Sequence, residues 1–170
     1  MTEPITPGGR FDDPQAWEAA AADGPHIWRT LGYRRTDWRP GSTTIEWLAT
    51  PEYSFPTAHG QVVQGGLVTA LLDAAMGGAC WTVLDNDQVF LTADLRVEFL
   101  RVSNPGLLSA TGTVVRRTRR VVFCAAEMRS SAGELLAASR CTQVVLPDSG
   151  SFGRFGAADQ SGAPPEDARG

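Results

Sequence analysis

The chain contains no lysine; all fifteen of its basic residues are arginine. It has three cysteines, Cys80, Cys124 and Cys141, an odd number at wide spacing with no CxxC pair. That pattern fits neither a thiolate zinc site nor a disulfide scaffold. Each cysteine lies in an apolar stretch, as a small buried hydrophobe would. No apolar run continues long enough to cross a bilayer, so no membrane association is expected. The opening residues, MTEPITPGGRFDD, carry neither a basic segment nor an apolar one. No secretory signal is read there, and the cytoplasm is the expected compartment. A net charge of −4 argues against a nucleic-acid partner. No helix-turn-helix segment precedes the main pattern, which argues against a DNA-binding regulator.

What remains is an ordinary globular composition, 42% apolar and 20% charged over 170 residues, suited to one domain. The basic charge is uneven. Seven of the fifteen arginines fall between positions 96 and 129: Arg96, Arg101, Arg116, Arg117, Arg119, Arg120 and Arg129. Guanidinium forks match phosphate oxygens, so this basic middle can meet a phosphorylated ligand. Residues 1–14 read as a flexible N-terminus and 148–170 as a disordered tail, leaving one domain over 15–147. Residues 14–22 read as a short helix capped by Asp13, with Pro14 in its first turn. Residues 31–38 and 43–49 read as strands around an Arg39-Pro40-Gly41 turn. Four further strand-like runs, 92–101, 107–118, 120–130 and 134–146, suggest one antiparallel meander.

Between the two sets of strands lies a helical run over about 65–84, GGLVTALLDAAMGGACWTVL. Apolar side chains occur all round it, which predicts burial on all sides. A curved sheet wrapped around the helix achieves that in a domain of this size. Asp73 is the one carboxylate in the run. Burying an unpaired carboxylate costs several kcal/mol or raises its pKa, so Asp73 is a candidate for chemistry rather than packing. The helix opens with Gln64-Gly65-Gly66. Its first amides lack internal partners and sit at the positive end of the helix dipole, and glycine lets a ligand oxygen come close. That is the makeup of an oxyanion hole. The eight residues from Gly65 to Asp73 span about 12 Å of helix, too far for one carbonyl to touch both. If both act on one substrate, two helices must pack antiparallel across a two-fold axis.

The stretch HGQVVQGGLVTALLDAAMGGACW, then LTADLRVEFLRV, then strands ending ELLAASRCTQVVL, resembles the PaaI-like branch of hotdog thioesterases over about residues 30–146. The resemblance implies an α+β hotdog fold, a long central helix wrapped by a curved antiparallel sheet. It implies homodimers or homotetramers that hydrolyse an acyl-CoA thioester without metal or cofactor. By position, Asp73 matches the family's catalytic acid and Gly65 the amide that polarises the thioester carbonyl. Thr92 stands where a Ser or Thr orients water or the acid. The family's usual His before the glycines is Gln64 here. An Asn or Gln usual several residues earlier is replaced by Thr57, Ala58 and His59, so His59 is a candidate for the polar role.

In the mechanism so implied, the carbonyl sits on the Gly65 amide of one subunit, beside Gly66. Asp73 of the partner activates water or attacks directly, and Thr92 and Gln64 orient the water. Arg101, Arg119 and Arg120 receive the CoA phosphates, and residues near Met76, Trp81 and Phe90 wall the acyl tunnel. Hydration of an enoyl-CoA is disfavoured, because position 78, five after Asp73, is Gly78 rather than His. A carrier-protein thioesterase and a non-catalytic acyl-CoA binder remain as alternatives.

Overall fold

The computed structural model describes residues 5–9 and 26–147. The helix expected at 14–22 and the tail at 148–170 lie outside the described residues. In chain order the elements are α1 (His26–Leu31), β1 (Tyr33–Arg39), β2 (Ser42–Ala49) and a short 3₁₀ turn, Pro51–Tyr53. There follow β3 (Ser54–Thr57), β4 (Gly60–Val63), α2 (Gly65–Trp81), β5 (Gln88–Phe99), β6 (Gly106–Arg117), β7 (Val121–Ser130) and β8 (Leu135–Pro147). The glycine-bearing turns at Gly41, Gly106 and Gly133 end or begin strands where the sequence placed them. Helix α2 stops at Trp81, three residues before the expected end. Thr82 ends it by donating its hydroxyl to Ala79 O at 2.7 Å. The same hydroxyl accepts from Gly41 N at 2.7 Å, tying the β1–β2 turn to the helix terminus.

The six long strands form one sheet in the order β1-β2-β6-β7-β8-β5, every pair antiparallel. This corrects the single meander. β6, β7 and β8 do run as one, but β5 crosses to the outer side of β8 instead of pairing with β6. Strands β3 and β4 make a separate hairpin that delivers the chain to the helix start.

Helix α2 lies in the concave side of the sheet. Val68, Leu71, Leu72, Ala75, Met76 and Ala79 are buried there against Ile45, Trp47, Leu108, Ala110 and Met128. The approach is close where helix and sheet cross. A Cβ on Gly112 of β6 would stand 2.2 Å from Ala75 O. Gly112→Ala therefore forces helix and sheet apart. The expected loss of stability is about 3 kcal/mol or more, read as a fall in the midpoint of urea unfolding.

The helix is not buried on all sides. Gly66, Thr69, Ala70, Asp73, Ala74, Gly77 and Trp81 form a stripe that stays partly open among the described residues. The open stripe runs beside β5, at the sheet's edge.

Candidate active site

β5 runs antiparallel along the open stripe. A Cβ on Gly77 would lie 3.2 Å from the Phe90 ring, and one on Gly65 would lie 3.3 Å from Phe99. Between these contacts the Thr92 hydroxyl donates to Asp73 Oδ1 at 3.1 Å. A register shift between Thr92 and Asp94 explains how one strand serves the helix along its whole length. Side chains alternate along a regular strand, so Phe90 and Thr92 would share a face that Leu95 and Val97 could not. The extra residue of a bulge at Ala93 switches the phase. Leu95 and Val97 then pack against the core as Phe90 does.

Asp73 is half-buried. Burial pushes its carboxyl above the ordinary aspartate value, and the Thr92 hydrogen bond opposes that rise. None of the ion pairs among the described residues involves it. It is thus a carboxylate held by a neutral donor at the edge of an apolar helix, poised to take a proton.

At the helix start, the Gly65 and Gly66 amides have no acceptor among the described residues. Gly65 lines a groove of about 480 Å³ together with Val62, Val63, Val68, Phe99, Leu100, Arg101, Val102 and Ser103. Gln64 caps the helix: its Oε1 accepts from Leu67 N at 2.8 Å. Its oxygen is therefore already occupied in holding the first turn. His59 lies exposed at the tip of the β3–β4 hairpin, where its backbone N–H donates to Thr57 Oγ1 at 3.2 Å.

The arginines separate. Arg101 joins the groove beside Gly65, with its Nη1 donating to Leu135 O at 2.9 Å. Arg119 and Arg120 lie exposed in the β6–β7 turn, where Arg120 O accepts from Val145 N at 2.9 Å. That turn stands near the start of β5, at the far end of α2 from Gly65. Met76 faces the core and is fully buried, so it walls no tunnel. Trp81 and Phe90 do meet beside the open stripe, edge to face with centroids 6.3 Å apart.

One site neighbour goes unread in the sequence. Gln143 of β8 is fully buried, and its Oε1 lies 3.0 Å from Thr92 Oγ1. The available signal is a polar residue in phase with Cys141 and Val145 on the inward face of an apolar strand.

Residues 60–137 match the family model of the thioesterase superfamily. No match was found among curated proteins. Several solved structures are similar. The PaaI protein of the E. coli phenylacetic acid degradation operon is 20% identical, with a TM-score of 0.68 over 76% of this chain and 92% of its own. A phenylacetic acid degradation-related protein from Ralstonia eutropha JMP134 is 26% identical, with a TM-score of 0.66 over 74% of this chain and 97% of its own. A thioesterase family protein from Silicibacter pomeroyi is 22% identical, with a TM-score of 0.68 over 77% and 95%. Residues 60–137 thus carry the pattern of the thioesterase superfamily on a hotdog fold like that of PaaI and its relatives, and the chemistry they point to is thioester hydrolysis.

Proposed function

We propose that the chain hydrolyses acyl-CoA thioesters at sites shared between two copies of itself. Asp73 supplies the base or nucleophile, and the Gly65 amide of the partner polarises the carbonyl. The observation that carries this reading is the half-buried, raised Asp73 carboxyl held by Thr92 on the open stripe of α2. Two features favour a second copy. Gly65 and Asp73 stand about 12 Å apart along one helix, whereas an antiparallel partner helix brings the two together. β5 is also a long edge strand with Leu91 and Phe99 exposed, the kind of edge that pairs with another chain.

In the general-base route, Asp73 takes a proton from water as the hydroxide adds to the thioester carbon. The oxyanion forms against the Gly65 amide, collapse expels the CoA thiolate, and Asp73 returns its proton to that sulfur. In the nucleophilic route, the carboxylate attacks the thioester carbon and expels the CoA thiolate, and water then opens the mixed anhydride to the free acid and Asp73. The Gly65 groove, apolar with Arg101 at its rim, suits a pantetheine arm. Arg119 and Arg120 of the protomer that supplies Asp73 are candidates for the CoA phosphates, because they lie beyond Asp73 along the antiparallel helix. The likeness to proteins of phenylacetic acid degradation favours an aromatic acyl group.

Free-thiol release from short, long and aromatic acyl-CoAs tests the reading: turnover is expected for one class. A protein that holds acyl-CoA intact, or that turns over acyl groups only on a carrier protein, contradicts it. Thr92→Val removes the hydrogen bond that favours the charged form of Asp73, so the carboxyl pKa rises further. The acid limb of the kcat/KM profile should therefore move to higher pH, with kcat down about tenfold or more. An unmoved limb would separate Thr92 from the reacting carboxylate.

A further inference from the structure

We infer that Gln143 is a positioning residue of this site: its buried amide holds the Thr92 hydroxyl on Asp73. The inference rests on reading Asp73 as the reacting carboxylate. Gln143 is fully buried, and an amide removed from water must find partners in the protein. It has two. Oε1 lies 3.0 Å from Thr92 Oγ1, and Nε2 donates to Cys141 Sγ at 3.2 Å. Thr92 Oγ1 is meanwhile 3.1 Å from Asp73 Oδ1.

A hydroxyl carries one proton, so Thr92 cannot donate to the carboxylate and to the amide oxygen at once. The charge on Asp73 decides between them. With Asp73 ionised, Thr92 donates to the carboxylate. Gln143 then serves best with its amide turned, giving an Nε2–H to the Thr92 oxygen and receiving the Cys141 S–H on Oε1. With Asp73 protonated, the carboxyl O–H donates to Thr92. Thr92 donates on to Gln143 Oε1, and Nε2–H meets the Cys141 sulfur. Hydrogen bonding with Cys124, together with burial, pushes the Cys141 thiol up, so it stays neutral in both arrangements.

The same four groups are therefore satisfied in both charge states by turning one hydroxyl and one amide. A general base passes through both states in each turnover. Without Gln143, the Thr92 hydroxyl keeps only the carboxylate as a partner among the described residues, and that hold weakens whenever Asp73 changes charge.

Gln143→Met keeps the length of the side chain and removes both amide groups; Gln143→Leu is the second variant should the first fold poorly. A folded variant should lose kcat about ten- to hundredfold, the scale of a misplaced reacting group. Its KM should stay within about twofold of wild type. Combined with Thr92→Val it should cause no further loss, because Gln143 acts through Thr92. A crystal structure of the variant should find the Thr92 hydroxyl out of hydrogen-bond reach of Asp73. An unchanged kcat, a loss that multiplies with that of Thr92→Val, or a Thr92 hydroxyl still seated on Asp73 overturns the inference. Asp73→Asn is assayed alongside. If wild-type turnover does not depend on Asp73, the catalytic reading of that residue fails, while the crystal structure still decides whether Gln143 holds Thr92.

Discussion

Asp73→Asn should lower kcat for thioester hydrolysis by about 10²- to 10⁴-fold, the range for losing a positioned base, while KM changes little. The same substitution should make the protein more stable at neutral pH. The fold raises the Asp73 carboxyl above its ordinary value of 3.8 because burial disfavours the charge. Between 3.8 and the raised value, the native chain binds more proton than the unfolded chain. Stability therefore falls as pH rises through that window, and the cost persists above it. Asparagine carries no charge and escapes this cost. Thermal unfolding should give a higher Tm for the variant at pH 7, with the advantage shrinking as pH falls through that window and gone below 3.8. Higher stability with lost activity marks a residue kept for chemistry. A variant both inactive and less stable would make Asp73 a structural residue.

Gly65→Pro should lower kcat by about 10²- to 10³-fold, as removal of an oxyanion-hole donor does. Proline deletes the amide N–H and leaves the backbone intact. The first helical position accepts proline, because its N–H has no helical acceptor to lose. Gln64, with φ −60° and ψ 126°, already has the extended conformation that a following proline demands. The new Cβ meets only the Phe99 side chain, whose nearest atom lies 3.3 Å away. Unchanged circular dichroism with wild-type kcat would remove Gly65 from the site.

The parts of this account legible in the sequence are those set by local chemistry. Asp73 stood out because a carboxylate in an apolar helix needs a reason, and it does lie beside Thr92. Strand ends were readable where glycine turns punctuate them, as at Gly41 and Gly106. The parts that escaped depend on distant pairing. β5 and β6 are neighbours in sequence, so a meander was the natural reading. The pairing of Thr92 with Gln143 across β5 and β8 exists only because β5 crosses to the sheet's edge. Gln143 itself sits in an apolar run, where one polar residue is easily passed over. The open stripe of α2 escaped for another reason. Its glycines, alanines and Trp81 count as apolar, and sequence pattern does not say whether the covering surface belongs to the same chain.

Subunit mixing decides whether Gly65 and Asp73 act from different protomers. Asp73→Asn and Gly65→Pro protomers, each inactive alone, are unfolded together, refolded at equal ratio and assayed for thiol release. In a mixed dimer, one site receives the intact Gly65 of one protomer and the intact Asp73 of the other. Random pairing should restore about a quarter of wild-type activity. A mixture that forms mixed dimers and stays inactive would place both groups in one chain and exclude a shared site.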